Sequence, residues 1–127
     1  MIKRMALATA IFALFAGLTA CSNPTGKSWA ISYELTAAGS ATVTKLAYAE
    51  SVDRYQNDVS QHDLTGPLGL PWKLDVIVSA GQEARVTATP SGDAALTCRI
   101  LLDKTKELAK ATAAAGQPVT CAKKTDS

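Results

Sequence analysis

The chain has 127 residues, 47% of them hydrophobic and 19% charged, with 13 basic against 11 acidic side chains for a formal net charge of +2. That length supports one hydrophobic core rather than several domains. A near-balanced charge without a basic stripe interleaved with aromatics excludes nucleic acid as a partner, and a single histidine, His62, excludes a multi-histidine metal site within one chain.

Lys3 and Arg4 form a short positive head, followed by an apolar run from Met5 to Leu18 broken only by Thr9 and Gly17. This is the layout of an export signal over residues 1–20, and it is short for a membrane span, which needs about 20 apolar residues. Leu18-Thr19-Ala20-Cys21 then resembles the lipobox of bacterial lipoproteins. That resemblance implies transfer of a diacylglycerol, with palmitate-type chains, to the Cys21 thiol and cleavage just before it. Each buried acyl CH₂ contributes about 0.8 kcal/mol; one chain anchors weakly and two or three anchor durably. The expected location is the extracytoplasmic face of the cell membrane, with Cys21 as anchor. Losing Lys3 and Arg4 brings the basic count level with the acidic one, so the tie to the membrane rests on the acyl chains.

Residues 21–27 hold the lipidated cysteine and a small, polar, Pro/Gly-bearing stretch, Ser22 to Lys27, which reads as a short flexible tether. Period-two alternation follows, and a sandwich domain is expected over 28–122. Trp29, Ile31, Tyr33 and Leu35 alternate with Ala30, Ser32, Glu34 and Thr36 as a half-buried strand. Trp29, beside the tether, could cap the sandwich or sit at the membrane interface. Gly39-Ser40 turns the chain into Ala41–Glu50, where Val43 lies on one parity and Leu46 and Tyr48 on the other, which predicts a bulge. Asp53 to Gln61 reads as a polar loop, and "TGPLGLP" (65–71) as a turn-rich approach to the next strand, Trp72 to Val78. Gly81-Gln82 and Pro90-Ser91-Gly92-Asp93 bound a strand over Ala84–Ala88, and Leu96 to Leu102 forms another. "KELAKATAAAG" (106–116) favours helix by propensity. A hairpin from 96–103 through this segment to Val119–Cys121 would instead let the last two cysteines meet, so strand is expected. Lys123 to Ser127 reads as a polar tail. The sum is an all-β, antiparallel sandwich.

With Cys21 acylated, Cys98 and Cys121 remain as a pair in an oxidising compartment, where bridges persist; two buried free thiols are the alternative. A bridge would contribute about 3 kcal/mol through loop-closure entropy.

Chemistry-bearing patterns are sparse. G-x-S-x-G, H-E-x-x-H, C-x-x-C and phosphate-cradling glycine loops are all absent from the sequence, so no catalytic residue, metal ligand or cofactor is assigned. His62-Asp63 could orient an imidazole, yet His62 reads as an exposed loop histidine. Asp53, Asn57, Asp58 and Asp63 could gather oxygen ligands, but they lack the spacing of a calcium loop and read as solvated. Arg54 and Tyr55 offer a recognition tip. Trp72 alternates with Leu74 and Val76 and reads as core.

The order "ISYELTAAGSATVTKLAYAE", "LPWKLDVIV", "LTCRILLD" and "PVTC" resembles the MmpS family, small mycobacterial-type membrane proteins that accompany MmpL transporters of the RND class. The resemblance runs from about Ser28 to Cys121. It implies an immunoglobulin-like β-sandwich outside the cytoplasmic membrane, a Cys98–Cys121 bridge, Trp72 as core tryptophan, no catalytic residues, and a part in export of lipids or siderophores. The chain departs from the family in two ways. A lipobox stands where members usually keep an uncleaved transmembrane helix. Asp103-Lys104 also replaces a D-G turn after "C-R-I", which points to a different, longer loop. Two functions compete: an adaptor for an RND-type transporter, and an envelope carrier holding a small lipid-like ligand in space left by alanines such as Ala84, Ala88, Ala94, Ala95, Ala109, Ala111 and Ala113.

Overall fold

Alternation over residues 28–37 puts Ile31, Tyr33 and Leu35 on one face, each at most 1% exposed. This strand is β1 (Ser28–Ala37), and seven more follow: β2 (Thr42–Glu50), β3 (Ser60–Gly69), β4 (Trp72–Ser79), β5 (Glu83–Pro90), β6 (Leu96–Leu102), β7 (Lys106–Thr112) and β8 (Val119–Lys124). The structure is a computed structural model that describes residues 26–126; Cys21 and its lipobox lie outside the described residues. The strands form two four-stranded antiparallel sheets, ordered β4-β1-β6-β7 and β3-β2-β5-β8. The fold is all-β, as expected.

Connectivity explains the sandwich. The chain crosses between sheets from β1 to β2 and again from β4 to β5, while β1 lies beside β4 and β2 beside β5. Two such interlocked crossings are also the centre of an immunoglobulin-like sandwich. Between the sheets, Ile31, Tyr33, Leu35, Val78 and Ile100 meet Val43, Leu46, Val86, Ala88 and Val119 in one core. Cys98 on β6 and Cys121 on β8 are bridged across the sheets, with Cα atoms 6.0 Å apart and a sequence separation of 23.

The segment with helix propensity is a strand. β7 pairs with β6, setting Ala109 opposite Ile100 and Ala111 opposite Cys98. Propensity is a weak preference that tertiary pairing overrides, and lysines at 106 and 110 suit an edge strand. The predicted bulge in β2 falls between Val43 and Lys45.

Three expectations need correction. Residues 60–69, read as the end of a polar loop and a turn-rich approach, form β3 along the whole of β2. Pro67 and the glycines of β3 hid it, and they are tolerated because β3 is an edge strand. The turn after Leu102 is short, not long: Asp103 and Lys104 both take positive φ, 53° and 63°, and Thr105 N–H donates to the Leu102 carbonyl at 3.1 Å. At the C-terminus β8 reaches Lys124 and Thr125 is 1% exposed, so the polar tail starts later than Lys123. Thr125 is held because its hydroxyl donates to the carbonyls of Ser79 (2.8 Å) and Gln82 (2.9 Å).

Candidate functional site

β1 is flanked on both sides, by β4 and β6, so its outward Ser32 and Glu34 are covered by neighbouring strands and are 6% and 8% exposed. A buried carboxylate needs partners, and the register supplies them. Glu34 stands opposite Lys73 on β4 and Arg99 on β6. Arg99 Nη1 lies 3.2 Å from Glu34 Oε1 and Lys73 Nζ 3.7 Å from Oε2, while Arg99 Nε reaches Glu107 on β7 at 2.9 Å. Next to this row the Ser32 hydroxyl donates to Asp75 at 2.6 Å and Lys104 pairs with it at 3.2 Å. The Ser32 hydrogen bond, then that from Lys104, hold the Asp75 carboxyl below the usual carboxylate range. Ser32, Glu34, Lys73, Leu74, Asp75, Leu101 and Lys104 line a half-open groove of about 270 Å³. Its charges are matched to one another across the strands. It is a rigid, polar, internally paired face.

The second surface is the rim bordered by β3 and β4, edge strands of opposite sheets that do not pair with each other. Tyr48 projects there, its ring 5.1 Å from His62 and stacked on it, and 6.2 Å from Trp72 and tilted. His62 sits in β3 rather than a loop, and its Nε2 lies 3.3 Å from Glu50. Asp63 is not its partner, because successive strand residues point to opposite faces. Trp72 is partly buried against the core, at its rim rather than its centre. Aromatic rings half in solvent, with polar tips, are the usual anchors of interfaces.

The third surface is the pole where β1 begins. Ser51, Ser79 and Thr125 are buried there, at 2%, 0% and 1% exposure. Ser79 N–H donates to Ser51 Oγ at 2.8 Å, Ser51 Oγ donates to the Asp58 carbonyl at 2.8 Å, and Ser79 Oγ donates to the Gln56 carbonyl at 2.6 Å. Ala80 N–H closes the set on the Lys27 carbonyl at 3.1 Å. Loop 51–58, the β4–β5 turn, the end of β8 and the first described residues are thus tied together. Asp53, one of the candidate oxygen ligands, accepts the Tyr55 N–H at 2.9 Å, while Asp63 lies in β3 opposite Ala47. Among the described residues no three His, Cys, Asp or Glu side chains gather to hold a metal ion.

Of the residues singled out in the sequence, the structure joins Cys98 to Cys121 and sets Arg54 and Tyr55 on the loop at the tether pole. Trp29 is partly buried against the core, the capping position. Ala84 and Ala88 are wholly buried in the core, so they tighten the interior rather than hollow it. Sequence reasoning missed the Glu34 cluster and the Tyr48–His62–Trp72 rim. A glutamate between Tyr33 and Leu35 on a central strand was the available signal for the first. The second depends on β3, which was not recognised as a strand. Among the described residues no helix is long and apolar enough to cross a membrane. Compared with known families, the chain matches no family model, and no curated protein matches it significantly.

Proposed function

We propose that the chain is a non-enzymatic, lipid-anchored domain of the cell envelope that acts as an accessory or adaptor in RND-type export of lipids or siderophores. The observation that carries this reading is the Cys98–Cys121 bridge between the two sheets. It falls in the motif order "LPWKLDVIV", "LTCRILLD", "PVTC", on which the resemblance to the MmpS family rests. A braced sandwich with its buried polar side chains paired suits a docking body, whose shape must persist while a partner moves. The aromatic rim at Tyr48 and Trp72 is the face with the composition of an interface core.

The test is in-cell crosslinking of the full, acylated protein, followed by affinity purification and identification of its neighbours. Enrichment of an RND-type transporter, reduced by Trp72→Ala, is the expected result. An intact, abundant protein that enriches no transporter overturns the export reading. Co-purifying lipid in that case would favour the carrier.

A further inference from the structure

Among the described residues two large apolar side chains stand well into solvent, Val52 at 73% and Tyr55 at 55% exposed. Both lie on loop 51–58, and that loop rests against the point where the chain joins the sandwich. The Tyr55 ring covers Gly26 so closely that a Cβ there would sit 2.7 Å from its Cε1. The loop is also fixed from below. Ser51 and Ser79 take up the Asp58 and Gln56 carbonyls, and Asp53 is turned onto the Tyr55 N–H. Val52 and Tyr55 are therefore presented by a braced loop at one pole of the molecule.

Chain length says what lies opposite. Gly26 is five positions after Cys21, and an extended chain covers at most about 3.6 Å per residue, so the two are no more than roughly 18 Å apart. The headgroup layer on each side of a bilayer takes up about 5–8 Å of that. An acylated Cys21 thus keeps Gly26, and the Tyr55 ring upon it, within about 13 Å of the headgroup surface, close enough for the ring to reach it. Tyrosine favours that depth, with its ring among the acyl and glycerol groups and its hydroxyl in water.

We infer that loop 51–58 is an interfacial foot: Val52 and Tyr55 seat in the headgroup layer of the membrane that holds the anchor and fix the tilt of the domain on it. The inference rests on the reading that Cys21 is acylated. With the foot down, β1 points away from the membrane. Its ten residues carry the loops at 38–41 and 91–95 roughly 30 Å outward, clear of the lipid.

The experiment places the photoreactive residue benzoylphenylalanine at Tyr55, Val52 or Ser91 of the full chain in cells. After irradiation, mass spectrometry reads both the acylation of Cys21 and the adducts at each position. The expected result is an acylated Cys21, phospholipid adducts at positions 55 and 52, and their loss at 91 on the far pole. An acylated Cys21 without lipid adducts at 55 or 52 overturns the foot and leaves the anchor standing. Protein adducts at 55 in place of lipid overturn the foot in favour of a protein partner. An unacylated Cys21 overturns the anchor and the foot with it.

Discussion

The Tyr33 hydroxyl crosses the sandwich to accept the backbone N–H of Arg85 at 3.1 Å, while donating to the Ala49 carbonyl at 2.6 Å. Tyr33 belongs to one sheet, Ala49 and Arg85 to the other. The pairing of β2 with β5 ends at Tyr48 and Val86, and the next residues along each strand are Ala49 and Arg85. One side-chain oxygen thus stands where the ladder would have closed and satisfies both of its backbone groups. Tyr33→Phe should leave that donor and acceptor without a partner, lowering stability by about 1–3 kcal/mol. Urea denaturation of the two proteins measures this. An unchanged midpoint would mean that water or strand closure replaces the hydroxyl at no cost.

The same burial sets an alkaline limit. Removal from water is the largest influence on Tyr33 and pushes its phenol well above the ordinary value of 10.0, against smaller opposing contributions from the Arg85 and Ala49 hydrogen bonds. The folded state therefore keeps this proton more tightly than the unfolded state does. Its contribution to stability is complete below about pH 10 and is lost as the pH rises beyond it. Urea midpoints should fall steeply above about pH 10 in the native chain and less steeply in Tyr33→Phe. Some slope should remain from Tyr48, whose phenol is raised by partial burial and then by Glu50. Equal slopes in the two proteins would contradict the assignment.

The Cys98–Cys121 bridge closes a loop spanning 23 positions between sheets. Loop-closure entropy gives about 3 kcal/mol for a ring of that size. The double variant Cys98→Ala/Cys121→Ala should lose about that much and also lose any crosslinked transporter. Full stability without the bridge would show that the two sheets are held by packing alone, and would count against the docking reading built on it.

The sequence was legible where one face is buried. Ile31, Tyr33 and Leu35 on β1, and Val76 and Val78 on β4, alternate because only their inner faces meet the core. Even the β2 bulge showed as a change of parity between Val43 and Leu46. It was illegible at β3, an edge strand whose pairing on one side only tolerates residues that punctuate a strand. β3 carries Gly66, Pro67 and Gly69, whereas β7, though built of good helix formers, was read as strand because a hairpin there lets Cys98 and Cys121 meet. The tether pole was illegible for another reason. Ser51, Ser79 and Thr125 are ordinary polar residues in sequence, and only the fold brings them together. Likewise Glu34 reads as the solvent side of a strand until β4 and β6 close over it.

The β6–β7 turn holds a removable strain. Asp103 and Lys104, the two central residues of the turn that Thr105 N–H closes on the Leu102 carbonyl, both sit in the left-handed region, which Asn-Gly or Asp-Gly fill best. Aspartate tolerates it; lysine, with a Cβ and no local hydrogen bond to offer, loses about 1–2 kcal/mol there. Lys104→Gly should therefore stabilise the domain by about 1 kcal/mol, after allowing up to about 1 kcal/mol for the exposed ion pair with Asp75. A lower melting temperature in Lys104→Gly would show that the pairing of Lys104 with Asp75 outweighs the backbone term.

Gly66 presents the opposite case, a position that cannot accept even a methyl group. It faces the bulge in β2, and a Cβ built on it would collide with the Val43 carbonyl oxygen and lie 2.7 Å from the Leu68 nitrogen. Both are backbone atoms, so no side chain can rotate aside to make room. Gly66→Ala must push β3 off β2 or flatten the bulge, at a cost of about 1–3 kcal/mol typical of overpacking. The damage should stay local. Hydrogen exchange should quicken along 60–69, where Leu64 and Leu68 pair with Leu46 and Val43, and stay unchanged in β1 and β6 of the other sheet. His62 would shift with β3, opening the Tyr48–Trp72 rim. If that rim is the docking face, Gly66→Ala should weaken transporter crosslinking as much as Trp72→Ala does. A Gly66→Ala protein with native exchange along β3 would show that the two strands can part at this point without loss, and that the close approach of Gly66 to Val43 is incidental.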